Sequence, residues 1–261
     1  MDKEQIRKLA ENHKFISGIY NYCDRWCERC PFTSRCMNFA LSEEQFSDAQ
    51  AHDINSQAFW QKLSEIFQIT LEMVKETAQR EGIDLDSLDL QAASDENRIL
   101  RDNAESHECS RAARAYVEMV KNWFDSTKGL FEKKADELSL QARLELPKSD
   151  PAGEAAELED SVDVIRWYQY FIYVKLVRAV RGTFQETSQV LDEFPKDSDG
   201  SAKVALIAID RSIAAWGRIR RHFPKREDDI LDILVHLDRL RRKTEKIFPD
   251  AGAFVRPGFD D

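Results

Sequence analysis

Glycine and proline are scarce in this sequence, which has 9 glycines and 7 prolines among 261 residues. Together they reach about half of their ordinary share of roughly 12%. So few turn-forming residues argue against a β-sandwich, a β-barrel and a glycine-rich nucleotide-binding fold. The sequence also lacks a P-loop, a G-x-S-x-G motif and a G-x-G-x-x-G motif, so it shows no sign of the enzyme classes that those motifs mark.

An excess of basic charge and a long apolar run are also missing. The 38 basic and 48 acidic residues give a formal charge of −10, which disfavours nonspecific binding to nucleic acid. No stretch reaches the ~18 uncharged apolar residues that span a bilayer, and the N-terminus has no apolar signal core. We therefore expect a cytoplasmic protein with reduced thiols. Its expected partner is an unidentified protein or electron carrier, without nucleic acid or membrane, and its oligomeric state stays open.

Helical periodicity dominates what is present. Apolar residues recur at i, i+3 and i+4 from Phe59 to Thr77, and Gly82 fits the position after a helix C-terminus. Similar patterns predict helices from about Asp95 to Phe124 and over 130–146, 160–182, 202–222 and 228–248. The sequence thus predicts an all-α fold, a bundle of five to seven helices with an N-terminal four-cysteine segment for a metal or cluster.

Three parts of the chain differ in composition. We predict an N-terminal cysteine segment over residues 1–53, a helical bundle over 54–248 and a flexible tail over 249–261. Within the bundle, Pro147, Pro151 and Gly153 predict a linker near 147–160. Because the helices on both sides have broad apolar faces, this linker is expected to join helices of one bundle.

The strongest chemical signal is a group of four cysteines within 14 residues, with the spacing C-x3-C-x2-C-x5-C. These residues, called the cysteine site below, are Cys23, Cys27, Cys30 and Cys36. If residues 21–30 are helical, the first three thiols share one helix face, and Pro31 ends the helix so that the fourth can return. Four adjacent thiolates repel one another without a cation, so the cysteine site predicts bound metal. The fifth cysteine, Cys109, lies on an apolar stripe and is predicted to be a core residue.

The identity of the metal is open between two chemistries. A single Zn²⁺ draws four sulfurs to ~2.3 Å from one point. On a helix, Cys23 and Cys30 would be about 10.5 Å apart along the axis, a spread that favours the larger [4Fe–4S] cluster. Zinc remains the alternative cofactor, because four-cysteine ligation is common to both. In the iron–sulfur case, Arg25, Arg29 and Arg35 would offset the negative charge of the cluster.

Part of the cysteine site resembles a known cluster-binding stretch. Cys27-Glu-Arg-Cys30-Pro-Phe-Thr-Ser-Arg-Cys36 is similar to the C-x2-C-P-[aromatic]-x3-C stretch of AddB-type and CRISPR-adaptation iron–sulfur nucleases. The resemblance is local and implies a [4Fe–4S] cluster. The chain lacks the Asp and Glu-x-Lys strands of the nuclease core, so no nuclease activity is implied. Cys23-x3-Cys27-x2-Cys30 also matches the triad of radical S-adenosylmethionine enzymes, but Arg29 replaces their usual aromatic residue and their barrel is not predicted.

Other charged residues are candidates for further sites. Carboxylates and one histidine on two predicted helices could form a second metal site: Glu72, Glu76, Glu105, His107 and Glu108. A polar pocket inside the bundle would use Asp163, Arg166 and Tyr170. The basic residues Arg218, Arg220, Arg221, Lys225 and Arg226 lie at one helix end, where they complement the helix dipole and acidic regions.

Three functions follow from these patterns. The first is a helical iron–sulfur protein with a redox, sensing or structural role. The alternative is a zinc-stapled module that binds a partner through a helical face. The second alternative is an enzyme built around the polar pocket of the bundle, for which the sequence indicates no substrate.

Overall fold

A computed structural model describes residues 3–45, 53–144, 149–186 and 196–260. The prediction of an all-α fold is confirmed, since no strand occurs among these residues. They form eight α-helices: α1 (Lys3–Ala10), α2 (Met37–Gln45), α3 (Gln57–Arg80), α4 (Leu90–Ser106), α5 (Glu108–Arg143), α6 (Pro151–Glu186), α7 (Asp197–His222) and α8 (Glu227–Ile247). The count exceeds the predicted five to seven by one.

The chain divides into two compact units. The N-terminal unit comprises residues 1–96 together with 255–261, and the bundle unit comprises residues 97–254. The cysteine site belongs to the N-terminal unit. The domain boundaries near residues 53 and 248 stay predictions.

The bundle unit is a ring of four helices in which α5 packs on α6, α6 on α7, α7 on α8 and α8 on α5. Its interior contains large apolar side chains without solvent exposure, such as Ile172, Ile209 and Leu237. An aromatic group lies between α5 and α7, where the ring centroids of Trp123 and Trp216 are 5.0 Å apart in an edge-to-face arrangement.

Helix α3 begins and ends where local sequence signals place it. The Ser56 hydroxyl accepts a hydrogen bond from the Phe59 backbone N–H at 3.1 Å, which caps the helix N-terminus. Gly82 has a φ of 71°, the left-handed conformation expected just after a helix. The predicted helix that ends at Gly82 is thus confirmed. Gly129, by contrast, does not interrupt α5.

The break between α4 and α5 falls at His107, inside the helix predicted from Asp95 to Phe124. His107 is extended (φ −60°, ψ 145°), and its Nδ1 accepts a hydrogen bond from the Cys109 backbone N–H at 3.2 Å. The side chain therefore caps α5 in the manner of Asn or Asp. Histidine is not a common capping residue, so the pattern of apolar positions alone could not locate this break.

Replacing His107 with alanine is expected to reduce the free energy of unfolding by about 1 kcal/mol, because the first turn of α5 loses its acceptor. Urea unfolding followed by circular dichroism measures this difference. His107→Asp provides another acceptor at the same position and should recover most of the loss. An equal loss in both variants would contradict the capping role.

The linker predicted near 147–160 is wrong for most of its length. Residues 145–148 lie outside the described residues, but α6 begins at Pro151 and continues without a break through residue 160. The Asp150 carboxylate accepts a hydrogen bond from the Gly153 backbone N–H at 2.9 Å. Pro151 occupies the first helical position, where a missing N–H costs nothing. The same residues that read as a linker thus start a helix.

The predicted flexible tail is also corrected by the structure. Residues 251–253 form a 3-10 turn, and Ala251 is fully buried. The Lys203 ammonium on α7 donates hydrogen bonds to the carbonyls of Gly252 and Phe254. This anchoring ammonium lies far away in the sequence, which explains why composition alone suggested a loose end.

The N-terminal unit has a much smaller buried interior. Among its described residues, only Ile19 and Ala78 are buried. Helix α3 exposes Phe67, Leu71 and Val74 to solvent by 64%, 55% and 51%. An apolar groove of about 960 Å³ lies against this helix and is lined by residues of α1, α2, α3 and the following turn, among them Ile6, Leu41, Ile66, Met73, Ile83 and Leu88.

Candidate functional site

Turns, and not a helix, place the four thiols of the cysteine site. Cys27 begins a 3-10 turn over Cys27–Arg29, and a second 3-10 turn over Thr33–Arg35 precedes Cys36. The helix considered for residues 21–30 is therefore not formed. Arg25 has a φ of 60°, a left-handed conformation that no right-handed helix contains. The axial spread of about 10.5 Å, which assumed a helix, does not apply.

The strained residue Arg25 has an identifiable local support. The Asp24 carboxylate accepts a hydrogen bond from the Trp26 backbone N–H at 3.2 Å, so the side chain of one residue closes a turn around the next. This tight turn reverses the chain between Cys23 and Cys27. A left-handed non-glycine residue costs about 1–2 kcal/mol and occurs often at functional sites.

The thiols of the cysteine site all border one cavity of about 20 Å³. Its other walls are mainly apolar or aromatic and include Ile19, Trp26, Phe39 and Phe259. All four cysteines are partly exposed, so the cavity lies near the protein surface. The structure thus brings together all four residues that the spacing predicted, around a space that holds about one water molecule.

Backbone groups are arranged around the sulfurs. The Cys30 backbone N–H donates to the Cys27 carbonyl at 3.1 Å, and the Phe32 backbone N–H donates to the Cys30 Sγ at 3.4 Å. The Cys23 thiol donates to the Tyr20 carbonyl at 3.6 Å. An N–H bond to sulfur stabilises the thiolate, which is the form that binds metal.

Electrostatic repulsion is visible at Cys27. Burial raises the pKa of its thiol, and the neighbouring charges of Cys23, Cys30 and Cys36 raise the pKa further. In the part of the chain that the structure describes, however, no group of three or more His, Cys, Asp or Glu side chains is arranged to hold a metal ion. The four cysteines therefore share a cavity wall without forming a recognisable metal site.

The three arginines near the cysteine site have different surroundings. Arg25 lines the cavity, and the Arg29 guanidinium lies over the Trp26 ring at 3.9 Å from its centroid. Arg35 is exposed, and its carbonyl accepts a hydrogen bond from the Ile16 backbone N–H. The cavity wall thus includes one basic residue, Arg25, and one acidic residue, Asp24.

The second metal site proposed from the sequence is not formed. Lys3 forms ion pairs with Glu72 at 2.9 Å and Glu76 at 2.7 Å, and the pKa of Glu76 is lowered chiefly by its hydrogen bond to Lys3. Glu108 pairs with Lys243 at 2.9 Å. The remaining two candidates are also engaged, since Glu105 is 3.9 Å from Arg101 and His107 caps α5.

The polar pocket proposed within the bundle is contradicted as well. Asp163, Arg166 and Tyr170 are all exposed, and Arg166 lies over the Phe124 ring at 5.0 Å. These residues share the outer face of α6. Although α6 is rich in apolar residues, the closed ring of four helices leaves one of its faces in solvent.

The basic residues at the end of α7 are mostly paired, as the sequence interpretation predicted. Arg218 lies 3.4 Å from Asp160, and Arg226 lies 2.7 Å from Asp229. Arg220 pairs with Glu227, and Arg221 pairs with Glu157. The carboxylates neutralise most of the charge that a nucleic-acid surface would need.

Cys109 is confirmed as a core residue. It is fully buried, its Sγ lies 3.5 Å from the Thr244 hydroxyl, and burial raises the pKa of its thiol. It therefore differs from the partly exposed thiols of the cysteine site and serves as an internal reference for them.

Sequence reasoning missed Phe259 as part of the site. Its ring lies 5.0 Å from the Phe32 ring in an edge-to-face arrangement, although the two residues are near opposite ends of the chain. No local pattern in the sequence connects them. The short motif Arg256-Pro-Gly-Phe259, with its glycine and aromatic residue, was the only available signal, and it suggested a loose end.

The fold and the site define an all-helical protein with four thiols around one cavity near its surface. Comparison with protein-family models, with curated proteins and with solved structures found no match to this chain. Within the described residues, none of the helices combines the length and the apolar character needed to traverse a bilayer.

Proposed function

We propose that Cys23, Cys27, Cys30 and Cys36 bind one [4Fe–4S] cluster in a cytoplasmic helical protein that transfers or senses electrons. The observation that carries this proposal is the placement of all four thiols on the wall of one cavity. When bound, such a cluster accepts and returns an electron. The residues of this chain hold it and set its surroundings.

The local resemblance of the Cys27–Cys36 stretch to known cluster-binding stretches favours the cluster over a single ion. Two features of the site suit such a cluster. The Phe32 N–H bond to the Cys30 sulfur stabilises a negatively charged centre. The partial exposure of the cysteines leaves a short path for an electron to a partner protein.

Zinc is the second candidate, and the small volume of the cavity favours it. In that case the metal would cross-link and stabilise the turns of residues 19–36, and a helical face of the same unit would bind a partner. The apolar groove along α3 offers such a face.

Metal analysis separates the two proposals. Anaerobic purification without chelators is expected to yield a brown protein with about four irons and four sulfides per chain. Replacing any one residue of the cysteine site with serine should remove at least half of the iron, because the cluster loses a ligand. The matched control is Cys109→Ser, which changes the same atom outside the site and should retain the full iron content.

Other outcomes have defined meanings. A colourless protein with one zinc and no iron would replace the first proposal with the second. A protein that binds neither metal after reconstitution with iron and sulfide, or with zinc, would contradict both. Loss of iron in Cys109→Ser as well would show that the losses report on folding and not on ligation.

A further inference from the structure

The C-terminal residues of the chain form one wall of the cysteine site. Phe259 borders the cavity together with the four cysteines and packs edge-to-face on Phe32, which lies between Cys30 and Cys36. An edge-to-face pair of this kind contributes about 0.5–1.5 kcal/mol beyond simple area burial. The aromatic ring of Phe259 is therefore held in a specific position beside the thiols.

Gly258 allows the backbone to adopt the conformation that places Phe259 beside the thiols. Its φ of 74° is left-handed, and a Cβ atom there would lie 2.8 Å from Ile16 Cδ1 and 3.1 Å from Ile19 Cδ1. Any other residue would meet both conformational strain and a steric clash. The backbone must approach these isoleucines closely in order to present the next residue to the cavity.

Arg256 holds the segment in this shape. Its backbone N–H and its guanidinium both donate to the Asp260 carboxylate, at 3.0 Å and 2.8 Å, and the pair is largely shielded from solvent. The guanidinium also lies over the Phe259 ring, 4.9 Å from its centroid. A short segment with so many internal contacts is preorganised, not a random end of the chain.

We propose that residues 256–260 are a cover for the cysteine site, in which Phe259 shields the thiols and any metal bound to them from solvent and oxidants. This inference rests on the proposed function for its purpose, but the shielding itself concerns the thiols and holds whichever metal they bind. Phe259 is a positioning and shielding residue. It contributes no ligand.

Alkylation of the full-length chain tests the cover. The protein as purified is treated with iodoacetamide, and mass spectrometry of its peptides gives a rate for each cysteine. In Phe259→Ala, the four cysteines of the site are expected to react about tenfold faster than in the unchanged protein, because local opening exposes them. Val255→Ala is the matched control, since Val255 precedes the cover and is 58% exposed, and this variant should react at the original rate.

Two further variants keep the result interpretable. Gly258→Ala retains the phenyl ring but strains the left-handed backbone at residue 258 and crowds Ile16, so it should accelerate alkylation to a similar extent. Phe259→Leu refills most of the space and should restore most of the protection. Cys109 should stay unreactive throughout, which shows that the bundle unit is folded. If Cys109 does react in Phe259→Ala, that variant is unfolded, and the alkylation rates in Gly258→Ala then test the cover in its place.

Different results would overturn the cover and the iron–sulfur cluster. Unchanged alkylation rates in both Phe259→Ala and Gly258→Ala would overturn the cover, even in a protein that contains the full amount of iron. Faster alkylation in a protein that never binds iron would support the cover and reject the iron–sulfur cluster. In iron-loaded protein, the same variants should also lose their visible absorption in air about tenfold faster.

Discussion

Replacing Trp216 with alanine is expected to lower the free energy of unfolding by about 3–5 kcal/mol. Trp216 is fully buried on α7 and packs against Trp123 of α5. Its indole N–H donates to the Tyr116 hydroxyl at 3.1 Å. The alanine variant thus loses a large apolar contact, opens a cavity and removes a partner of a buried hydroxyl.

The burial of Tyr116 makes this loss costly. Burial raises the pKa of Tyr116 to about 12, although hydrogen bonds with Ser212 and Trp216 act in the opposite direction. The hydroxyl therefore stays neutral and needs its partners in the folded state. Trp216→Phe keeps an aromatic ring without the donor, so it should cost about 1–3 kcal/mol, less than the alanine variant.

Chemical denaturation with tryptophan-independent detection by circular dichroism measures both effects. Tyr170→Ala is the control, because Tyr170 is an aromatic residue of the same unit with 57% exposure, and its loss should change stability by less than about 0.5 kcal/mol. A loss for Trp216→Ala below about 1 kcal/mol would show that α5 and α7 are not packed as described.

Amide hydrogen exchange should differ strongly between the two units. Most of the fully buried side chains lie in the bundle unit, whereas Ile19 and Ala78 alone are buried among the described residues of the N-terminal unit. Local opening follows the number of buried apolar contacts. We expect the central amides of α5 and α7 to exchange at least about a thousandfold more slowly than those of α3.

Loading with metal should change the N-terminal unit alone. Since ligands that bind only the folded state stabilise it, amides of residues 27–36 are expected to exchange at least about tenfold more slowly in loaded protein. The amides of α7 provide the control and should not change. Equal protection in α3 and α7 before loading would contradict the difference in packing between the units.

Much of the fold followed from local patterns. The apolar stripe from Phe59 to Thr77, the Ser56 cap and the left-handed Gly82 together place α3 within a few residues, because each signal acts within one or two turns. The start of α6 was available in the same way from Asp150 and Pro151 but was interpreted as a linker. A proline is common both in loops and in the first turn of a helix. A capping residue directly before it, here Asp150, indicates the helix.

The break at His107 required more than a local pattern. The apolar positions on both sides are compatible with one continuous helix, and the unusual histidine cap becomes recognisable only from the bond between Nδ1 and the Cys109 N–H. The outer face of α6 is a similar case. Its aromatic residues suggested complete burial, but the number of neighbouring helices sets how much of that face is covered.

For the candidate site, too, local patterns predict some features and only tertiary contacts decide the others. Local spacing was enough to identify the four cysteines and the helical class, because metal ligands in one short segment and a period of 3.6 residues are properties of neighbouring residues. Folding of the whole chain was needed to bring Phe259 beside Phe32, to pair Glu72 and Glu76 with Lys3 and to turn Tyr170 outward. Such contacts join distant residues, and they depend on which surfaces meet when each helix buries its apolar face.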